Sequence, residues 1–133
     1  MSDLDYCVVS LRLSGDDLDP AAVTARLGVE PTRAWRTGDW SETHKRPRPK
    51  GGWILEGPAG EPRDLDAKIK ALLAALPHNP DLWRELAAFK PDMFCGLFML
   101  DSNAETALTP ATLAMLAERG LTLGLDIYGP ADE

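Results

Sequence analysis

"SLRLSGDDLDPAAVTARLGVE", residues 10–30, and "LFMLDSNAETALTPATLAMLAERGLTL", residues 97–123, follow one plan. Each passes from a strand through an acidic loop to Leu, a capping residue, Pro, a short helix, Gly and a returning strand. Asp19 and Thr109 carry side-chain oxygens that accept from the free N–H groups of a first helical turn. Pro20 and Pro110 have the backbone angle of its first position, and Gly28 and Gly120 suit the left-handed residue that ends it. Two strand–helix–strand units with right-handed crossovers place both helices on one face of a sheet. The expected fold is therefore α+β: a ferredoxin-like two-layer sandwich in the order β-α-β-β-α-β-α-β. Its sheet is five-stranded and mostly antiparallel, with helices on one face.

The remaining segments fit this frame. Residues 6–14 alternate, with Cys7, Val9, Leu11 and Leu13 on one side and Tyr6, Val8, Ser10 and Arg12 on the other. "TRAWRTG" and "GGWILEG" read as two strands joined by a basic, Pro-rich loop at 41–50. Asp64 opens a helix with Ile69, Leu72, Leu73 and Leu76 as its buried stripe. Pro77 stops it, and Asn79 and Pro80 restart a second with Leu82, Trp83, Leu86 and Phe89. "DMFCGLFML" is apolar on both sides of its pleat, as a central strand is. In the last helix Leu113, Leu116 and Ala117 are expected inward, and in the final strand Leu121, Leu123, Leu125 and Ile127 are expected to face the helices. The far face then carries Tyr6, Ser10, Arg12, Gly124, Asp126 and Tyr128 beside Phe94 and Phe98, a mixed surface suited to a dimer interface, a lid or a ligand.

The length of 133 residues is that of one domain, 1–133, with a short tail at 129–133. The net charge of −7 opposes a general grip on nucleic acid or anionic membrane, and no apolar run is long enough to span a bilayer. The charge is uneven. Residues 33–50 hold six cations against two carboxylates, a local +4, which leaves −11 on the rest. Cys7 and Cys95 lie inside apolar runs and are expected as buried free thiols. With no basic, apolar leader at the N-terminus, a cytoplasmic location is expected.

Few residues carry recognisable chemistry. Arg33, Trp35, Arg36, Trp40 and Trp53 gather forked donors and aromatic faces of the kind that bind anions or bases. Strand parity keeps the five from converging unless the sheet edge curls, and Trp35 and Trp53 are expected as cross-strand core partners. "HKRPRPK" resembles a phosphate-contacting strap, but the acidic remainder would repel a polyanion. The three carboxylates of "GDDLD" lack the alternating oxygens of a Ca²⁺ loop. His44 and His78 stand apart from each other and from the cysteines, so no metal set and no cofactor is expected. Arg12, Asp126 and Tyr128 on the far face are the one catalytic trio that can be drawn.

"SGDDLDPAAVTARLGVEPTRAWRTGD", "GGW" and "LDIYG" resemble the bacterial family catalogued as domain of unknown function 4279. The resemblance runs from Leu11 to Tyr128 through Gly15, Leu18, Pro20, Leu27, Gly28, Pro31, Thr32, Trp35, Gly38, Trp53, Asp126 and Tyr128. It implies a small α+β domain with no assigned activity, and "WSETHKRPRP" looks like a variable insert. By analogy, such families include immunity-like proteins. The reading favoured is a non-enzymatic binding or interaction domain, self-associating as a homodimer or docking a protein partner. Nucleotide or single-stranded nucleic-acid binding by the Trp and Arg cluster, and a small hydrolase or isomerase on the open face, are the alternatives.

Overall fold

Strand β1, Ser2–Gly15, organises the sheet, because alternation over residues 7–13 supplies one apolar side: Cys7, Val9, Leu11 and Leu13 are all buried. The computed structural model describes residues 2–130, so the expected tail at 129–133 lies outside the described residues from 131 onward. The chain continues through α1 (Pro20–Leu27), β2 (Arg33–Trp35), β3 (Trp40–Ser41), β4 (Arg46–Pro47), β5 (Gly51–Glu56), α2 (Leu65–Ala74) and α3 (Pro80–Leu86). It ends with β6 (Asp92–Met99), β7 (Ala104–Glu105), α4 (Pro110–Glu118) and β8 (Thr122–Tyr128). The main sheet has the order β2-β5-β1-β6-β8, and β7 pairs with the start of β1. Only the β6–β8 and β1–β7 pairings are parallel. The molecule is thus α+β with a mostly antiparallel five-strand sheet. The helix pair α2 and α3 interrupts at Pro77 to Pro80 as the sequence predicts.

Capping explains where the helices begin. Asp19, Asp64, Asn79 and Thr109 each accept from a backbone N–H of the first turn, and Pro20, Pro80 and Pro110 stand in that turn. Gly28 ends α1 at φ 73, and its N–H donates to the Thr24 carbonyl. The core forms between these helices and one sheet face, where Trp53, Leu11 and Met93 are fully buried and the Trp53 indole donates to Thr24 Oγ1 at 3.0 Å.

One buried carboxylate joins two helices. Asp66 on α2 accepts from the Thr109 N–H at 2.9 Å and from its hydroxyl at 3.1 Å, and it pairs with Lys70 at 3.1 Å. Burial alone would raise the Asp66 pKa. The donors from Thr109, Thr112 and Lys70 outweigh it and hold the carboxyl at about 2. Lys68, buried on the same helix, donates to the carbonyls of Pro58 and Gly60 and so fixes the loop after β5.

Several expectations are corrected. Residues 41–50 are not a plain loop: β3 and β4 pair antiparallel, Trp40 with Pro47 and Ser41 with Arg46. Helix α4 is rotated so that Thr112, Leu116 and Arg119 are buried, while Leu113 is 48% exposed and Ala117 faces out. The cause is the Thr112 hydroxyl, which is drawn inward to Thr109 at the Asp66 cap. Leu125 and Ile127, expected under helices, are 53% and 58% exposed. A nine-residue helix is about 14 Å long and a seven-residue strand about 23 Å, so α4 leaves the far end of β8 uncovered. Trp35 and Trp53 are not core partners. Ala34 is the residue opposite Trp53, and Trp35 lies opposite Gly52 on the other sheet face.

Candidate functional site

The helices leave one sheet face open, and strand register decides what lies on it. Tyr6 pairs with Phe98 and Phe98 with Tyr128, so three aromatic residues form a row across β1, β6 and β8. Their rings stack with centroids 4.2 and 4.7 Å apart and planes within 8° and 5°. Such pairs add about 0.5–1.5 kcal/mol beyond their buried area. Tyr6 and Tyr128 remain 49% and 47% exposed, and Val8, in the next pair along with Gly96, is 47% exposed. A ladder stacked on itself uses its inner π faces and presents ring edges and two hydroxyls outward.

Charged groups border the row and are paired within the face. Arg12 makes a forked contact with Asp92, at 3.0 and 3.1 Å, and its guanidinium lies 4.2 Å over the Phe94 ring. Arg33 is 3.9 Å from Glu56. The Tyr128 hydroxyl donates to Asp126 at 2.5 Å. That hydrogen bond, and the negative charge behind it, hold the phenol above its ordinary pKa. A shallow cavity of about 350 Å³ lies between Ser10, Arg12, Arg33, Ile54, Glu56 and Pro58. Arg12 does not join Asp126 and Tyr128. It sits opposite Asp92 while Asp126 sits opposite Gly96, four residues or about 13 Å further along β6.

The aromatic and basic cluster is likewise divided. Trp53 is fully buried on the helix side, and Trp40 is 57% exposed on the hairpin. Trp35 lies flat over Gly52, where a Cβ would stand 2.3 Å from its ring, and the Arg48 guanidinium covers the other side at 4.1 Å from the ring centroid. Its indole N–H donates to the Lys50 carbonyl at 2.9 Å. Arg36 turns back to Asp19 at 2.7 Å, and its N–H donates to the Asp39 carboxylate. Both faces of Trp35 are therefore occupied, and no stacking surface for a base is left on it or on Trp53.

A family model, the domain of unknown function DUF4279, matches residues 5–130. The chain belongs to the DUF4279 family. A search of the curated proteins and a search of the solved structures each return no match. In this DUF4279 domain, no helix is long and apolar enough to cross a membrane, and no group of three or more metal-ligating side chains occurs among the described residues. Burial raises both the Cys7 and Cys95 thiols, Cys95 to about 12.

The residues singled out in the sequence thus occupy four places. Arg12, Asp126, Tyr128 and Arg33 lie on the open face, Trp35 and Trp40 at the hairpin, Arg36 on the turn between β2 and β3, and Trp53 in the core. Three contributors had weaker signals. Asp92 partners Arg12 only through the β1–β6 register. Phe98 joins the tyrosines only because β8 returns parallel to β6. Arg48 reaches Trp35 because Gly38 N–H donates to the Arg48 carbonyl and Arg48 N–H to the Asp39 carbonyl, which folds the hairpin back on β2.

Proposed function

We propose that this domain is a non-enzymatic binding module that pairs with a second copy of itself through the open sheet face. The observation that carries the reading is the stacked ladder of Tyr6, Phe98 and Tyr128, its two tyrosines and the neighbouring Val8 about half exposed and uncovered by any helix. Five strands at about 4.8 Å spacing and about seven residues at 3.3 Å give a footprint of roughly 500 Å². With the loop after β5 at its rim, this is of the order of the roughly 800 Å² per partner in a standard interface. The face has a self-complementary charge layout, because Arg12 and Arg33 each sit beside a carboxylate of the same face. A twofold contact can therefore exchange these pairs without stranding a charge. We read the sheet order as a ferredoxin-like core, β2-β5-β1-β6, extended by α4 and β8. The α1 crossover, which leaves β5 between β1 and β2, supports this.

Light scattering after size exclusion at tens of micromolar tests the pairing. The expected mass is that of two chains, falling to one in Val8→Arg. A wild-type monomer overturns the reading, and so does a dimer unaffected by Val8→Arg but lost in Ile127→Lys, which places the contact at the β8 edge. A basic partner on the acidic surface, the immunity-like alternative, requires the monomer result.

A further inference from the structure

Most cations of this acidic chain have a partner within it. Arg12, Arg26, Arg33, Arg36, Lys45, Lys70 and Arg84 each face a carboxylate, and the head groups of Arg63, Lys68 and Arg119 each reach a backbone carbonyl. Among the described residues, Arg46, Arg48, Lys50 and Lys90 are the ones with no such partner. Three of these four line one cavity of about 300 Å³, walled also by Trp35, Pro47 and Pro49. The carboxylates of the hairpin do not reach it, since Glu42 holds Lys45 and Asp39 holds the Arg36 N–H. The excess positive charge of the segment is therefore concentrated in this pocket, at the end of the sheet where Ser14 and Gly51 pair with Gly52 and Gly15.

The pocket is also built. Arg48 is half-buried and laid flat on Trp35, which is itself pressed on Gly52, so the guanidinium is held in place before anything binds. Its Nε is buried with no hydrogen-bond partner. A buried N–H left unpaired is unfavourable, so the Arg48 side chain is short of an acceptor in the free protein.

We propose that this pocket binds a small phosphate-bearing molecule, its phosphate held by Arg46, Arg48 and Lys50. Three uncompensated cations match the charge of about −1.5 to −2 and the three acceptor oxygens of a phosphate monoester better than the single charge of a carboxylate. Trp35 acts by orienting Arg48 and does not stack on the ligand, whose remainder lies against Pro47 and Pro49. The volume stands at the lower end of small-molecule sites, which suits a phosphorylated fragment rather than a dinucleotide.

The Trp35 indole N–H, bonded to the Lys50 carbonyl, is a reporter inside the site. Full-length protein is titrated by NMR with inorganic phosphate and with glycerol 3-phosphate at constant ionic strength, and separately with succinate and with an octapeptide of Asp and Glu. Saturable movement of the Trp35 signal with both phosphates is expected. The double variant Arg46→Gln, Lys50→Gln, which leaves the Arg48 stack in place, weakens binding by about 100-fold, tenfold for each cation lost. Arg84→Gln, at an ion pair elsewhere, leaves it unchanged. Linear movement without saturation, or equal affinity in the double variant, overturns the site. Saturation by succinate or the acidic peptide but not by phosphate overturns the ligand class.

Discussion

Replacing Asp66 by Asn removes the charge that caps the start of α4 from α2. The carboxyl lies at about 2 in the folded protein against an ordinary value of 3.8. At about 1.4 kcal/mol per tenfold this gap bounds its contribution at about 2.5 kcal/mol. The side chain is 11% exposed, so water at its outer oxygen lowers the expected figure to about 2 kcal/mol. A folded pKa below the unfolded one means that the stabilisation is complete above the unfolded value and is lost as pH falls through the folded one. Urea unfolding followed by circular dichroism should therefore separate wild type from Asp66→Asn by about 2 kcal/mol near pH 7. The separation should drop to about half of that near pH 3 and nearly vanish near pH 2. A separation that stays constant from about pH 7 to pH 3 would show that shape or hydrogen bonding, not charge, fixes α4. No separation at any pH would refute the cap itself.

Gly52→Ala places a Cβ 2.3 Å from the Trp35 ring and should cost about 1–3 kcal/mol in urea unfolding while shifting the Trp35 indole NMR signal. An unmoved indole signal contradicts the packing described. Both thiols are buried with raised pKa values, so a disulfide reagent at mildly alkaline pH should label neither Cys7 nor Cys95 until urea unfolds the chain. A fast phase from folded protein counts against this. The Tyr128 phenol should titrate above its ordinary range and move down in Asp126→Asn, as read by phenolate absorbance. An unchanged titration denies the hydrogen bond.

Much of this architecture is legible in the chain because capping is local. Asp19, Asn79 and Thr109, each followed by Pro, set helix starts by chemistry within three residues, and the alternation in residues 6–14 sets the buried side of β1 without reference to anything distant. What the sequence does not display is pairing across elements. The rotation of α4 depends on Asp66, 43 residues from Thr109, and moves Leu113 out of the core. The overhang of Leu125 and Ile127 depends on the lengths of two neighbouring elements, which periodicity does not compare. The basic, aromatic stretch looked like one site because its residues are close in sequence. The strand pleat sends Trp53 into the core and Trp35 to the open side, and Arg36 and Lys45 find carboxylates nearby, so only Arg46, Arg48 and Lys50 remain uncompensated there.

Pairing through the open face is tested most directly by an isotope-filtered NMR experiment on an equal mixture of labelled and unlabelled chains. Contacts between chains are expected from the rings of Tyr6, Phe98 and Tyr128 and from the methyl groups of Val8. Contacts between chains confined to Leu125, Ile127 or the β3–β4 hairpin, or none at all, would contradict it.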